Sequence, residues 1–457
     1  MERRFMVRKR QMLEECEVSV NVFRGMLERL ESFFHPFLEC LHQPAQRDHA
    51  SKYVSGLVSD LERKNIESIA YRHDEDRQKL QHFIGAARWD HRPLVAELAR
   101  AVGEELGEDD GVIVFDPSAF PQKGTRSVGV ARPWCGRLGK VDNCQVAVYM
   151  GYASRKEHAL VDVRLYLPKA WTGDRKRLKA AGVPKHVRSQ TRHAQALEML
   201  REHGESLPHA WIAGDDEMGP SACFRRDLHA RGETYFLAVP RTTTLRDLQA
   251  EPPPYQGRGA VPKRTFQQMH RWRDALRPNT WRRIDVRDGE KGPLVIEAVA
   301  CRVQTKIQRR LRKYEETLVI LRSRDQDGVT KYDYYLSNAP AETPLEEFAR
   351  GSKAAPRIED CIKRAKREAG LADYEVRTWL GWHHPQTLSL IATWFLVVES
   401  RRGKKRDTCD HRAANSRRAG HAAAGRRWLR HTWPDRKEQN TQIETKRTST
   451  ILSLQNT

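Results

Sequence analysis

The 457-residue sequence has no continuous apolar run of the roughly 18 to 20 residues that a membrane-spanning helix needs. Its first ten residues, MERRFMVRKR, do not form the apolar segment of a secretory signal. Its eight cysteines include no Cys-x-x-Cys pair, so neither a zinc cluster nor a disulfide framework is indicated. These absences predict a cytosolic protein with reduced thiols.

Basic residues are abundant. The chain has 81 Lys and Arg against 60 Asp and Glu, a formal net charge of +21. Such a surplus favours a polyanionic partner, because Lys and Arg that contact phosphates release condensed counterions. The alternative is a merely soluble basic surface. After residue 400, fifteen Lys or Arg stand against five Asp or Glu, so part of the signal comes from the tail alone.

Hydrophobic spacing divides the chain into five segments. Apolar residues recur at spacings of three and four residues over residues 8–105, which indicates helices, whereas strand patterns begin at GVIVF. Strands and helices then alternate, which predicts an α/β fold with a mixed sheet and flanking helices. The predicted segments are a helical N-terminal domain (1–108), a first core part (109–239), a β-rich insertion (240–330), a second core part (331–400) and a basic tail without packed structure (401–457).

Three carboxylates are placed where strands or helices end or begin. The stretch VIVFDPSAFPQKG predicts a strand that ends at Asp116, AWIAG predicts a strand running into Asp215, and Glu359 begins the helix RIEDCIKRAKREAG. Ligands gather at the carboxyl ends of strands in open α/β sheets. Carboxylate oxygens suit Mg²⁺ or Mn²⁺, and two such ions can support phosphodiester displacement. This pattern predicts a nuclease or strand-transfer site.

Each carboxylate also has an ordinary structural interpretation. An Asp before Pro-Ser is common in turns, so Asp116 alone is weak support for a catalytic site. Asp216 or Glu217 could replace Asp215, because spacing does not separate neighbours. Glu359 could simply be an acidic residue in a first helical turn, which the helix dipole stabilises. Lys366 strengthens the functional interpretation, because it lies two helical turns after Glu359 on the same face and could contact phosphate.

The order of longer motifs adds a resemblance to a known family. The chain contains, in sequence, FDPSAFPQKGTRSVGVARPWCGRLGKVDNCQVAVYMGYAS, WIAGDDEMG and RIEDCIKRAKREAGLADYEVRTWLGWHHPQTLSLIATWFL. Together they resemble the insertion-sequence DDE transposases of the RNase H-like superfamily, over roughly residues 50–400.

The resemblance implies roles for the carboxylates. Asp116, Asp215 and Glu359 would hold two Mg²⁺ ions, with Mn²⁺ able to substitute, and Lys366 would position phosphate. The implied substrate is double-stranded DNA, both terminal inverted repeats and target, bound by at least a homodimer in the bacterial cytoplasm at the nucleoid. The β-rich insertion is similar to that of the hairpin-forming branch, which implies excision through a hairpin.

Two departures from the family pattern stand out. That branch often has Tyr-x2-Arg-x3-Glu-x6-Lys, but Ser352 and Ala355 precede Glu359 here. Either Arg357 replaces the arginine or that phosphate contact is absent. The tail after VVESRRGKK lacks the amphipathic helical pattern of the family. We hypothesise a frameshift near residue 405 and therefore a defective copy.

Several further residues are candidates for contacting DNA. Cations after the first aspartate could hold the backbone, tryptophans in the insertion could receive a flipped base, and cations on the Glu359 helix could reach phosphate. The alternatives are a solvated hairpin and packed tryptophans. These candidates are Lys123, Arg126, Lys140, Trp272, Trp281, Arg357 and Lys363. His383 and His384 resemble a metal pair, but a helix start or a DNA-facing surface is favoured.

The sequence therefore predicts a DDE transposase that binds inverted repeats through its N-terminal helices, cleaves DNA and transfers strands. One alternative is an inactive DNA-binding copy that represses or titrates the active enzyme. Another is an RNase H-like nuclease that does not transpose.

Overall fold

The computed structural model describes residues 25–135, 138–259, 263–289, 292–305, 314–324 and 328–413. The first five helices of the described residues have apolar faces that form one buried cluster with the sheet that follows. These helices are α1 (Met26–Glu39), α2 (Pro44–Val58), α3 (Ile66–Arg72), α4 (Arg77–Gly85) and α5 (Arg92–Leu106).

Helix α5 shows why this region is helical. Leu94, Leu98 and Val102 recur at four-residue spacing and are fully buried, so one face of the helix packs on the core. Pro93 lies in the first turn, where a missing N–H costs nothing. The exposed Arg100 pairs with Glu97 and Glu104 on the opposite face.

The central sheet begins with two antiparallel pairings and continues with two parallel ones. In space the order is β5–β4–β1–β6–β7, with β1 antiparallel to β4 and parallel to β6. These strands are β1 (Val112–Pro121), β4 (Cys144–Ala153), β5 (His158–Leu165), β6 (Trp211–Gly214) and β7 (Tyr235–Ala238). The predicted α/β fold, a mixed RNase H-like sheet with flanking helices, is confirmed.

Strand β1 is longer than the sequence analysis predicted. It does not end at Asp116 but continues to Pro121, since Asp116 to Pro121 pair with Tyr149 to Cys144 on β4. Proline is tolerated here because the side of β1 that faced β6 has no strand beyond Phe115. Asp116 is therefore a strand residue and not a turn residue.

Short elements connect the strands of the core. A two-stranded hairpin, β2 (Trp134–Cys135) with β3 (Lys140–Val141), lies between β1 and β4. The helices that follow are α6 (Lys169–Thr172), α7 (Arg175–Ala180), α8 (Arg192–His203) and α9 (Ala222–Ala230).

The β-rich stretch extends the core sheet. Strand β13 pairs with β7, and β12, β11 and β8 follow in the same sheet. The elements are β8 (Thr244–Asp247), β9 (Gln267–Gln268), α10 (Met269–Asp274), β10 (Arg282–Gly289), β11 (Gly292–Thr305), β12 (Glu315–Arg324) and β13 (Thr330–Ser337). One face of these strands buries its own apolar cluster, which includes Leu245, Met269 and Leu318.

The last three helices within the described residues are α11 (Leu345–Gly351), α12 (Ala354–Glu368) and α13 (Trp379–Ala413). Helix α12 buries Ile358, Cys361 and Ala365 and turns its charged residues outward. It packs against β1, β4 and β5. A side chain at Gly151 of β4 would meet Ile358 at 2.6 Å, so this glycine allows the close approach of α12.

Helix α13 corrects the expectation that organisation ends at residue 400, because it continues to Ala413. Arg, Lys and Ala are good helix formers, so a helix that is already packed can extend through them. Residues 414–457, which carry most of the predicted tail, lie outside the described residues. Among the described helices, none has the length and apolar continuity needed to cross a bilayer.

His383 and His384 lie inside the fold and not on a DNA-facing surface. Both are buried in the first turns of α13, and His384 stacks on Trp89 with 3.6 Å between ring centroids. Its two ring nitrogens contact the carbonyl oxygens of Ile84 and Trp89, each at 3.0 Å. The pair connects α13 to the N-terminal helices.

A buried ion pair connects the core to the β-rich stretch. The Arg225 Nε on α9 donates to the Glu316 Oε1 on β12 at 2.7 Å, and both side chains are almost fully buried. Tyr235 and Thr305 donate to the same carboxylate at 2.7 and 2.8 Å. Arg225 also donates to the carbonyl of Gly219. The carboxylate is thus fully satisfied, which a buried charge requires.

We predict that Glu316→Ala destabilises the protein by about 3 to 5 kcal/mol, because it leaves the Arg225 charge buried without a partner. The control is Glu67→Ala, which removes an exposed partner of Arg77 and should cost less than about 1 kcal/mol. Urea unfolding measures both. Equal midpoints for the two variants would contradict a structural role for the buried pair.

Candidate active site

A cleft of about 1420 Å³ opens beside the point where β6 ends. Its walls come from β1, the turn after β6 and helix α12. Asp116, Asp215, Glu359 and Lys366 all line it. The structure therefore brings the four predicted catalytic residues to one cavity.

The sheet register places the two aspartates side by side. Phe115 of β1 is paired in parallel with Gly214 of β6, and an aspartate follows each of them. Beyond this pair β6 stops, while β1 continues against β4 only. Asp116 thus has an open flank on the side of Asp215.

The turn after β6 separates Asp215 from its acidic neighbours. The Asp215 Oδ1 accepts hydrogen bonds from the backbone N–H groups of Glu217 and Met218, at 3.1 and 3.2 Å. These bonds hold its carboxylate at the strand end. Asp216 is exposed, and Glu217 pairs with Arg192 of α8. All three acids line the cleft, but Asp215 directly continues the strand.

Helix α12 brings a carboxylate and an ammonium to the other wall. The Lys366 Nζ donates to the Ser118 Oγ at 2.9 Å and lies 4.2 Å from the centroid of the Phe120 ring. Glu359 forms a salt bridge with Lys363 at 2.8 Å. A metal ion held by Glu359 would replace this exposed ion pair, which contributes little energy.

Electrostatics make the cleft a site that favours a cation. Burial, together with the nearby carboxylates of Asp215 and Glu359, raises the pKa of Asp116 to about 8. Burial and the charge of Glu217 raise the pKa of Asp215 to about 7. Crowded carboxylates bind protons when no cation neutralises them. The donor set is all oxygen, which fits Mg²⁺ or Mn²⁺.

The three carboxylates are not all within 4.8 Å of one another, so the cluster is open and not a single closed cage. Among the described residues, a compact acidic group occurs elsewhere, at Asp48, His49 and Glu75. The Lys52 ammonium donates to both Asp48 and Glu75 there, so a cation already neutralises that group. We therefore assign no metal to it.

The cations predicted to hold DNA after the first aspartate are solvent-facing. Lys123 and Arg126 are exposed in the loop after β1. Lys140 is exposed on β3 and pairs with Asp142 at 3.1 Å. Lys363 lines the cleft, close to Glu359. Their roles in binding DNA stay predictions.

Three other predicted DNA contacts are not among the residues that line the cleft. Trp272 is 7% exposed and its indole N–H donates to Asp247 at 2.8 Å. Trp281 is half-buried, with the Arg322 guanidinium 4.3 Å from its ring. Arg357 donates to the carbonyl of Ser154 and lines a different cavity, so it does not supply the missing arginine of the cleft in this structure.

Sequence reasoning missed Ser118, Arg192 and the position of Trp134. Ser118 lies two residues after Asp116, hence on the same face of a strand, and period-two spacing could have identified it. Trp134 is 66% exposed and lines the cleft, and no sequence pattern separates it from the packed tryptophans. Arg192 begins α8 far from the acidic motif in sequence, and no local pattern indicates it.

Comparisons with known proteins agree with this geometry. The sequence model of a family described as DDE superfamily endonuclease matches residues 36–293, more than half of the chain. The matched region contains Asp116 and Asp215 and ends before Glu359. A protein named probable transposase for insertion sequence element IS701, from Microchaete diplosiphon, is 34% identical over 101 residues. The alignment covers 22% of this chain and 27% of that relative.

The raised pKa values predict how stability depends on pH. A carboxyl whose pKa is raised to about 8 in the folded state stabilises the fold below its unfolded pKa of 3.8, and this contribution is lost as the pH rises through 8. Without divalent ions, melting temperature should therefore fall between pH 6 and about 8.5. The fall should be smaller in Asp116→Asn.

Magnesium should reverse this loss in the wild type, by an amount that grows with pH, because binding must displace protons. Scanning fluorimetry with EDTA or Mg²⁺ measures the effect. Asp48→Asn, in the acidic group of the helical region, is the control and should respond as the wild type does. A magnesium shift that persists in Asp116→Asn at full size would contradict the assignment.

Proposed function

The chain belongs to the DDE superfamily endonucleases, as its resemblance predicted, and on this premise we propose that it is a transposase that cleaves and joins DNA in a magnesium-dependent reaction. One observation carries the proposal. Asp116 and Asp215 directly follow a parallel pair of strand residues, and Glu359 and Lys366 line the same cleft.

Each residue of the cleft has a proposed role. The charges of both Asp215 and Glu359 act on Asp116, so Asp116 would share both ions. Asp215 would hold one ion, and Glu359 would hold the other. When bound, two divalent ions activate the attacking oxygen and stabilise the leaving oxygen of a phosphodiester. Lys366, anchored by Ser118, would hold a non-bridging phosphate oxygen.

The reaction balances as two successive displacements. A water oxygen first bonds to phosphorus, the bond from phosphorus to the 3′ oxygen breaks, and that oxygen takes up a proton. The freed 3′-hydroxyl then attacks a target phosphodiester, and the target's own 3′ oxygen leaves. No external reductant or oxidant is needed.

The proposed partners follow from this chemistry. The substrate is double-stranded DNA, bound first at the terminal inverted repeats and then at the target. Joining two element ends requires two active sites, which supports a homodimer on DNA. The basic surplus of the chain supports binding to phosphate. We propose the helical region as the part that binds the element ends.

Binding without cleavage is the second candidate. It is favoured by the position of Arg357, which bonds to Ser154 and so leaves the cleft without the arginine that the related pattern contains. An inactive copy would occupy DNA ends and reduce the activity of an intact relative. A nuclease that cleaves but does not transfer strands is a third outcome of the same test.

We expect Asp215→Asn and Glu359→Gln to lower cleavage by roughly a hundredfold or more, since a metal ligand supports several kcal/mol of transition-state stabilisation. The neighbours Asp216→Asn and Asp360→Asn are matched controls and should retain activity. The assay is strand cleavage of a labelled duplex that carries the end sequence flanking the coding region, with Mg²⁺ and with Mn²⁺.

Three results would contradict parts of this proposal. Loss of cleavage in Asp216→Asn with full activity in Asp215→Asn would move the metal ligand by one residue. Binding by the wild type without cleavage in either metal would favour the inactive copy. Cleavage without joined products would favour the nuclease.

A further inference from the structure

A second groove, rich in arginine, adjoins the catalytic cleft. It has a volume of about 830 Å³ and is formed by the loop after β1, helices α6 and α7 and the two residues just before α13. No carboxylate is among its lining residues within the described chain. The lining side chains that can contact an anion include Arg126, Arg132, Asn143, Arg177, Arg377 and Thr378.

One wall of the groove is built and rigid. The Arg177 guanidinium stacks 3.8 Å from the Trp171 ring centroid and donates to the carbonyl of Thr125 at 2.7 Å. The Trp171 indole is buried and donates to the carbonyl of Val130 at 2.7 Å. This stacking fixes one cation at the wall before any ligand arrives, which reduces the entropy cost of binding.

The other arginines are available to a ligand. Arg126, Arg132 and Arg377 are exposed, and in the part of the chain that the structure describes their side chains form no ion pair. The backbones that carry them are tied together, because the Val128 N–H donates to the carbonyl of Arg377 at 3.0 Å. Several arginines in one groove whose lining contains no carboxylate favour a polyanion, and guanidinium groups match phosphate geometry.

Four consecutive residues join the groove to the cleft. Ala131 and Arg132 line the groove, whereas Pro133 and Trp134 line the catalytic cleft. Their backbone is held by hydrogen bonds between Ala131 and Cys144, at 2.8 and 3.0 Å. We call residues 131–134 the rim. A strand that crosses the rim passes directly from the arginines to the carboxylates.

Trp134 on the rim differs from the other tryptophans that the structure describes. It is 66% exposed, whereas Trp171, Trp272 and Trp382 are at most 7% exposed. An indole exposed to solvent does not gain the free energy of burying its apolar surface, and a ligand with an aromatic face would supply that burial by stacking on it. Every nucleobase has such a face, but a base inside a duplex is already stacked on both sides.

We propose that the arginine groove binds the phosphates of the DNA strand next to the scissile bond, and that Trp134 stacks on an unpaired base of this strand at the rim. The inference rests on the proposed function in taking DNA as the substrate. It assigns the base contact to the core hairpin and not to Trp272 or Trp281 of the β-rich stretch.

The stacking test uses a forked duplex with 2-aminopurine at the junction, in EDTA so that no cleavage occurs. Wild-type protein should quench its fluorescence on binding. Trp134→Ala should abolish the quench and weaken binding by roughly tenfold, and Trp134→Phe should preserve most of the binding. Trp281→Ala is the control and should quench as the wild type does.

The groove test measures affinity for the same probe against salt concentration. The double variant Arg126→Ala with Arg377→Ala should reduce the salt slope by about two, because each arginine that binds a phosphate contributes about one to the slope. Arg201→Ala with Arg226→Ala removes two exposed arginines of α8 and α9 and should leave the slope unchanged.

The outcomes separate this inference from the proposed function. Full quenching by Trp134→Ala, or loss of it in Trp281→Ala, would overturn the base contact. An unchanged slope in the groove variant would overturn the phosphate contact, although DNA binding itself persists. Failure of the folded wild type to bind any DNA at low salt would instead overturn the proposed function.

Discussion

The parallel pairing of β1 with β6 is the constraint on which the candidate site depends. The pairing ends at Phe115 and Gly214. Asp116 and Asp215 are the residues that follow this pair, so both lie at the same edge of the sheet. Because β1 continues only against β4, Asp116 keeps one side open to the cleft. Glu359 is positioned independently of this pairing, because α12 packs closely against Gly151 of β4. The sheet, and not a loop, thus sets the position of two of the three carboxylates.

This geometry concentrates negative charge in a partly buried place. Burial, and after it the charges of neighbouring carboxylates, raise the pKa values of Asp116 and Asp215, and a bound divalent cation would favour their charged forms. The pair of Arg225 and Glu316 solves the opposite problem, because its carboxylate is neutralised and fully hydrogen-bonded inside the protein. It also holds Gly219, four residues after Asp215, against the β-rich stretch. The paired charges of Arg225 and Glu316 therefore stabilise the fold, whereas the crowded carboxylates lie in the cleft where a cation is expected.

Periodicity and motif order predicted the strands around Asp116 and Asp215, the helix of Glu359 and the family of the chain, but this helix begins at Ala354 and not at Glu359. They did not predict that β1 continues through Pro117, since the strand loses its neighbour β6 there and tolerates proline. The extension of the core sheet by β13 depends on a long-range pairing that no local pattern contains. Trp272 was a reasonable candidate by composition, but its burial is decided by tertiary packing, and the exposed Trp134 went unrecognised for the same reason.

The most direct test of the account is the location of manganese in crystals of the wild type and of Asp116→Asn, by anomalous scattering. The account predicts one manganese ion between Asp116 and Asp215 and a second at Asp116 and Glu359, and no ion between the two aspartate positions in the variant. Manganese at Asp48 and Glu75 with none in the cleft would contradict it. So would an ion that keeps its place when Asp116 is replaced.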